Sequence, residues 1–109
     1  MANNDDYLVV LVTAGSAEEA QRIARELLEN KLIACANLMP VRSLYVWEGE
    51  IQDDPEMLMI LKTHSAVFKE KLLEHISATH SYDVPEVIGL PVVVGSADYL
   101  KWISDEVTG

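Results

Sequence analysis

The rhythm of apolar and polar positions changes repeatedly along this chain, and each change marks a predicted element. Tyr7 to Val12 is a continuous apolar run rich in valine, bounded by a polar segment over 1–6 and by Ala14-Gly15. Such a run has strand length and reads as a strand buried on both faces, hence central in a sheet, while 1–6 reads as a flexible tail. Ser16 and Glu19 then have capping-box spacing, and Ala20, Ile23, Ala24, Leu27 and Leu28 recur at helical spacing opposite Glu18, Arg22, Arg25 and Glu29. Asn30-Lys31 ends this amphipathic helix.

Ile33 to Trp47 is long for one strand, and Pro40 predicts a bend or an edge position there. Val41, Ser43, Tyr45 and Trp47 share one side of it, while Arg42, Leu44 and Val46 share the other. Glu48-Gly49-Glu50 forms the expected tight turn, because glycine supplies a positive φ, and Ile51 to Thr63 returns as a second long strand. A hairpin apolar on both sides cannot bury both in a single small core, so one side is expected to meet another copy of the chain. Ser65 is placed to cap a second helix, with Phe68, Leu72 and Ile76 four apart on its buried face. Val84 to Val94 carries Pro85 and Pro91, which confine it to edge or irregular pairing, and a short helix follows Gly95-Ser96. The order β-α-β-β-α-β plus a terminal helix predicts an α+β, ferredoxin-like single domain over 1–109.

Composition narrows the partners. The net charge of −10 argues against a nucleic-acid backbone, which requires clustered Lys and Arg. The longest apolar runs fall far short of the roughly 20 residues of a membrane span. No secretion signal opens the chain, and the single cysteine, Cys35, forms no internal disulfide, so a cytoplasmic location is expected.

Candidate chemistry concentrates in His80-Ser-Tyr-Asp-Val-Pro-Glu86, where an imidazole, a phenol and two carboxylates precede a strand. His80 with Asp83 or Glu86 has the donor types for a borderline divalent metal. A plainer reading has His80 and Tyr82 hydrogen-bonding the loop while Pro85 shapes the strand entry. Tyr45 and Trp47, two apart on one strand face, read as a packing patch or as the wall of a cleft at a subunit boundary, with Lys62 at the end of the return strand beside it. Cys35, among small and apolar residues, reads as a buried structural thiol. No glycine-rich phosphate loop, CxxC, HExxH or GxSxG pattern occurs, so no enzyme class is indicated.

Taken in order, Ala34-Cys-Ala-Asn-Leu38, Ser43-Leu-Tyr-Val-Trp-Glu-Gly-Glu-Ile51, Leu61-Lys-Thr63, His80 to Glu86, and Gly95 with Tyr99-Leu-Lys-Trp102 resemble the CutA family of divalent-cation tolerance proteins. The resemblance implies a ferredoxin-like protomer in a tight homotrimer, akin in architecture to PII signalling proteins, with long hairpins at the subunit contacts. It also implies tolerance of copper and other divalent cations, with Cu(II) or another divalent metal as the expected ion and no organic cofactor. The family's usual loop reads His-Pro-Tyr-Glu-Val-Pro-Glu, from which Ser81 and Asp83 depart. Two functions follow as expectations. One is a metal-binding trimer with His80 as first ligand. The other is a PII-like module holding a small molecule or partner protein in an intersubunit cleft lined by Tyr45, Trp47, Lys62, His80, Tyr82 and Glu86.

Overall fold

A computed structural model describes residues 6–108, so most of the expected tail over 1–6 lies outside the described residues. Four strands form one antiparallel sheet in the order β2-β3-β1-β4: β1 (Tyr7–Ala14), β2 (Cys35–Trp47), β3 (Glu50–His64) and β4 (Val87–Pro91). As its unbroken apolar run predicts, β1 is central, pairing with both β3 and β4. Of the three proline-bearing strands, β2 and β4 take the edges, where a missing N–H leaves no ladder bond unmade, and Pro55 of β3 lies outside the stretch from Met57 to His64 that pairs with β1.

Helix α1 (Ala17–Glu29) begins at Ser16, whose hydroxyl accepts the Glu19 N–H at 3.1 Å. It buries Ala20, Ile23, Ala24 and Leu27 against Val10, Val12, Met59 and Leu61 of the sheet. Leu28, expected on this face, is exposed. The helix stops by a backbone device that the sequence only hinted at. Lys31 adopts φ 58°, and Leu32 N–H reaches back to the Leu27 carbonyl while Lys31 N–H reaches that of Leu28. These are the paired bonds of a Schellman motif, with Lys31 where glycine is the usual residue.

The second helical stretch departs from the simple amphipathic helix. Strand β3 runs to His64, so the extended His64 rather than Ser65 stands at the N-cap, and no side chain caps the turn. Short helices α2 (Ser65–Val67) and α3 (Leu73–Thr79) are joined by a π-helical turn over Phe68–Leu72, in which Leu73 N–H bonds the Phe68 carbonyl. Residues spaced by four suit both a regular turn and one carrying an extra residue, so the apolar pattern alone does not reveal the π turn. Leu72 and Ile76 still reach the core.

Tyr7, out of phase with Val10 and Val12, packs with Leu100, Ile103 and Val107 of or just after α4 (Ala97–Glu106), and its hydroxyl donates to Ser104 Oγ at 3.2 Å. The β2–β3 hairpin gives the molecule its length, 48 × 26 × 22 Å. Trp47 faces Glu50 across a two-residue turn whose members, Glu48 at φ 52° and Gly49 at φ 80°, are both left-handed. That is the type I′ geometry that matches the twist of paired strands. Towards the tip, Leu44, Val46 and Ile51 are 64%, 69% and 78% exposed. Lower on the sheet, Met39, Ile88 and Leu90 are also exposed.

Candidate functional site

The site grows from the junction of β1 with α1. His80, capping α3, lies 8% exposed against the end of β1. Its Nε2 is 2.7 Å from the Thr13 carbonyl oxygen, and its Nδ1 accepts the Tyr82 N–H at 3.0 Å. A carbonyl only accepts and an amide N–H only donates, so the ring carries its proton on Nε2 and both nitrogens are committed. Glu19 ties the same loop to α1, accepting from Ser81 N–H at 2.8 Å and from Gly15 N–H at 3.2 Å. Burial pulls the Glu19 carboxyl upward, but the bonds from Ser81 and Gly15 prevail and hold it below the ordinary 4.5.

Tyr82 projects from this clasp over Gly15, where an added Cβ would meet its hydroxyl oxygen at 3.1 Å. Its ring also lies 4.8 Å from that of His80. The phenol donates to Glu56 Oε2 at 2.9 Å. Its pKa is pushed up to about 12, first by burial and then by the Glu56 carboxylate, so it stays a donor through the neutral range. On the neighbouring strand Tyr45 donates to Asp54 Oδ2 at 2.6 Å, and that bond raises its own pKa. Arg42 is held by Asp53 through two bonds of 2.8 and 2.6 Å.

Between the hairpin and the loop lies an open cleft of about 800 Å³. Tyr45, Trp47 and Tyr82 supply its aromatic walls, and Asp54, Glu56, Asp83 and Glu86 its carboxylates. Four of the expected cleft residues, Tyr45, Trp47, Tyr82 and Glu86, are thus brought together. Lys62 is not among them: its ammonium bonds Asn37 Oδ1 and lies 4.0 Å from Cys35 Sγ, because it pairs with Cys35 at the opposite end of the hairpin. Cys35 is half-buried rather than buried, with Tyr99 as a further neighbour. Pro85 sits half-buried two residues before β4.

The expected metal set of His80, Asp83 and Glu86 does not converge. His80 lies behind the cleft wall with both nitrogens occupied, whereas Asp83 and Glu86 line the cleft itself. Among the described residues no group of three or more His, Cys, Asp or Glu is placed to hold a metal ion. The donor set therefore does not fit a Cu(II) centre, which favours available imidazole nitrogen. Asp54 and Glu56 enter none of the sequence expectations, and Glu19 enters only as a capping-box residue. The first two were accessible in principle: once Glu48-Gly49 fixes the hairpin register, Ser43 faces Asp54 and Val41 faces Glu56, on the face shared with Tyr45.

Comparison with known proteins supports this architecture. Residues 8–106 match the family described as CutA1 divalent ion tolerance protein. A CutA protein of Arabidopsis thaliana is 44% identical over 90% of this chain, and a divalent-cation tolerance protein CutA of Thermus thermophilus is 43% identical over 89%. The chain spans 94% of the Thermus protein but only about half of the plant relatives, 54% in Arabidopsis and 55% in rice. The CutA structure from Archaeoglobus fulgidus superposes with a TM-score of 0.90 at 42% identity, covering 93% of this chain and 98% of that one. That from Synechococcus elongatus gives 0.92 at 28% identity, with 98% and 95% covered. The cytoplasmic expectation does not stand. The Arabidopsis and rice relatives are named chloroplastic and the Archaeoglobus protein periplasmic, and a lone cysteine discriminates none of these compartments. The fold, the match over residues 8–106 and the order of motifs agree, and the chain belongs to the CutA1 family of divalent ion tolerance proteins.

Proposed function

We propose that this chain serves divalent-cation tolerance as a homotrimeric ligand-binding module, acting through the cleft between its hairpin and the Tyr82–Glu86 loop rather than by catalysis. The observation that carries this reading is the cleft of about 800 Å³ walled by Tyr45, Trp47 and Tyr82, a volume suited to a small molecule. Copper on His80 is not part of it, since that imidazole is committed to Thr13 and Tyr82. The homotrimer is supported by apolar side chains left uncovered on two surfaces, the hairpin tip at Val46 and Ile51 and the sheet at Met39, Ile88 and Leu90. Clustered uncovered apolar surface favours burial against another copy of the chain.

A thermal-shift screen of the intact protein against Cu(II), Zn(II), nucleotides and small metabolites tests the reading, with Trp47→Leu as the cleft variant. A metabolite that raises Tm in the parent and not in the variant is the expected result. Stabilisation by metals alone, equal in both proteins, would sink it.

A further inference from the structure

We infer that the cleft takes an organic cation, an ammonium or guanidinium group carried on a flat or apolar body. The inference rests on the cleft being the ligand site and adds the class of ligand. Its strongest support is Glu56. This side chain is only 9% exposed, lines the cleft, and receives a single hydrogen bond from the neutral Tyr82 hydroxyl. A carboxylate has room for about four hydrogen bonds, and a buried one is costly unless a cation compensates it. Among the described residues neither Glu56 nor Asp54, Asp83 or Glu86 makes an ion pair. Among the described residues the one cationic side chain lining the cleft, Arg42, is already taken by Asp53. Within one chain, among the described residues, no side chain therefore supplies the compensating charge at this site.

The walls specify what kind of cation fits. Tyr45, Trp47 and Tyr82 are 41%, 51% and 38% exposed, large aromatic surfaces held open towards the cleft. Both tyrosine hydroxyls are anchored, on Asp54 and Glu56, which fixes the rings. Aromatic faces beside carboxylates attract organic cations through the ring quadrupole, with Trp the most effective face. A bare metal ion gains little from such walls, and the carboxylates are not grouped to chelate one. The net charge of −10 adds a long-range field of the same sign.

The test is isothermal titration of the intact protein with benzamidinium and with benzamide, which share a shape and differ in charge. Saturable binding of benzamidinium, with benzamide at least about tenfold weaker, is expected for a recognised charge worth one pairing. Glu56→Gln keeps an acceptor for Tyr82 and removes the charge, and should weaken benzamidinium about tenfold while leaving benzamide unchanged. Trp47→Leu, at an exposed position outside the core, should weaken benzamidinium without altering the melting temperature. Circular dichroism establishes that each variant is folded, and Glu86→Gln supplies a second charge removal if Glu56→Gln is not. Equal affinity for the two probes, or charge variants that bind benzamidinium like the parent, overturns the inference. A neutral or anionic metabolite that stabilises the protein through Trp47 while benzamidinium does not bind would overturn it too, yet leave the cleft as the ligand site.

Discussion

Glu19 shows how one side chain can organise a site without touching a ligand. Its two oxygens accept from Gly15 and Ser81, so the turn entering α1 and the loop leaving α3 share one carboxylate. The spacing of Ser16 and Glu19 predicts a capping box, and one half of it forms: Ser16 accepts from Glu19 N–H, but the carboxylate turns to Gly15 and Ser81 instead of closing the box. Spacing within a helix start reports local geometry. It carries no information about a loop more than sixty residues away. Because the folded-state pKa is lowered from 4.5, Glu19 contributes stability that is present above that value and is lost as pH falls through the lower folded value. Acid titration of the melting temperature should therefore fall less steeply below about pH 4.5 in Glu19→Gln than in the parent, and the variant should melt lower at neutral pH. Parallel acid profiles would contradict the assignment. His80 illustrates the opposite limit of legibility: its residue type pointed to a metal, and only the positions of Thr13 and Tyr82 show that its nitrogens are spent within the fold.

The elements were largely readable because their signals are local. Valine-rich β1, amphipathic α1 and the Glu48-Gly49 turn each follow from short-range pattern, and Pro40 and Pro91 do lie on edge strands. The π turn at Phe68–Leu72 was not readable, since it alters hydrogen bonding without disturbing the four-residue apolar spacing. At the end of α1 the sequence and the geometry are in mild conflict. Lys31 occupies the left-handed C′ position, where a Cβ is strained and glycine is not. Lys31→Gly should therefore raise stability by about 0.5–1 kcal/mol, read as a rise in Tm of roughly 3–6 °C. A fall in Tm would mean that the lysine side chain contributes more than its backbone strain removes.

At the scale of the whole molecule, the hairpin is the feature that a single chain does not explain. Its face of Leu44 and Val46, joined by Ile51, is open, and so are Ile88 and Leu90 on the far edge strand. The sequence announced this imbalance through apolar residues on both sides of one hairpin. It could not give the arrangement of copies, which depends on surfaces meeting in three dimensions. Light scattering at micromolar concentration should give three times the chain mass of 12.1 kDa. Combining Val46→Glu with Ile51→Glu, a cross-strand pair, should shift that value towards the monomer without loss of the circular-dichroism signal. A parent protein that scatters as a monomer would remove the support for a homotrimer.

The clasp around His80 bears on motion as much as on shape. Ser81 and Tyr82 lie in an exposed connection, where backbone amides ordinarily trade their hydrogens with water quickly. Here both amides are donors to buried or half-buried acceptors, Ser81 to Glu19 and Tyr82 to the His80 ring. Deuterium uptake at these two positions should accordingly be slow in the unliganded protein and change little when the cleft is filled. A rim that is already rigid loses little entropy on binding, so selectivity at the cleft would come from fit and charge rather than from a closing lid.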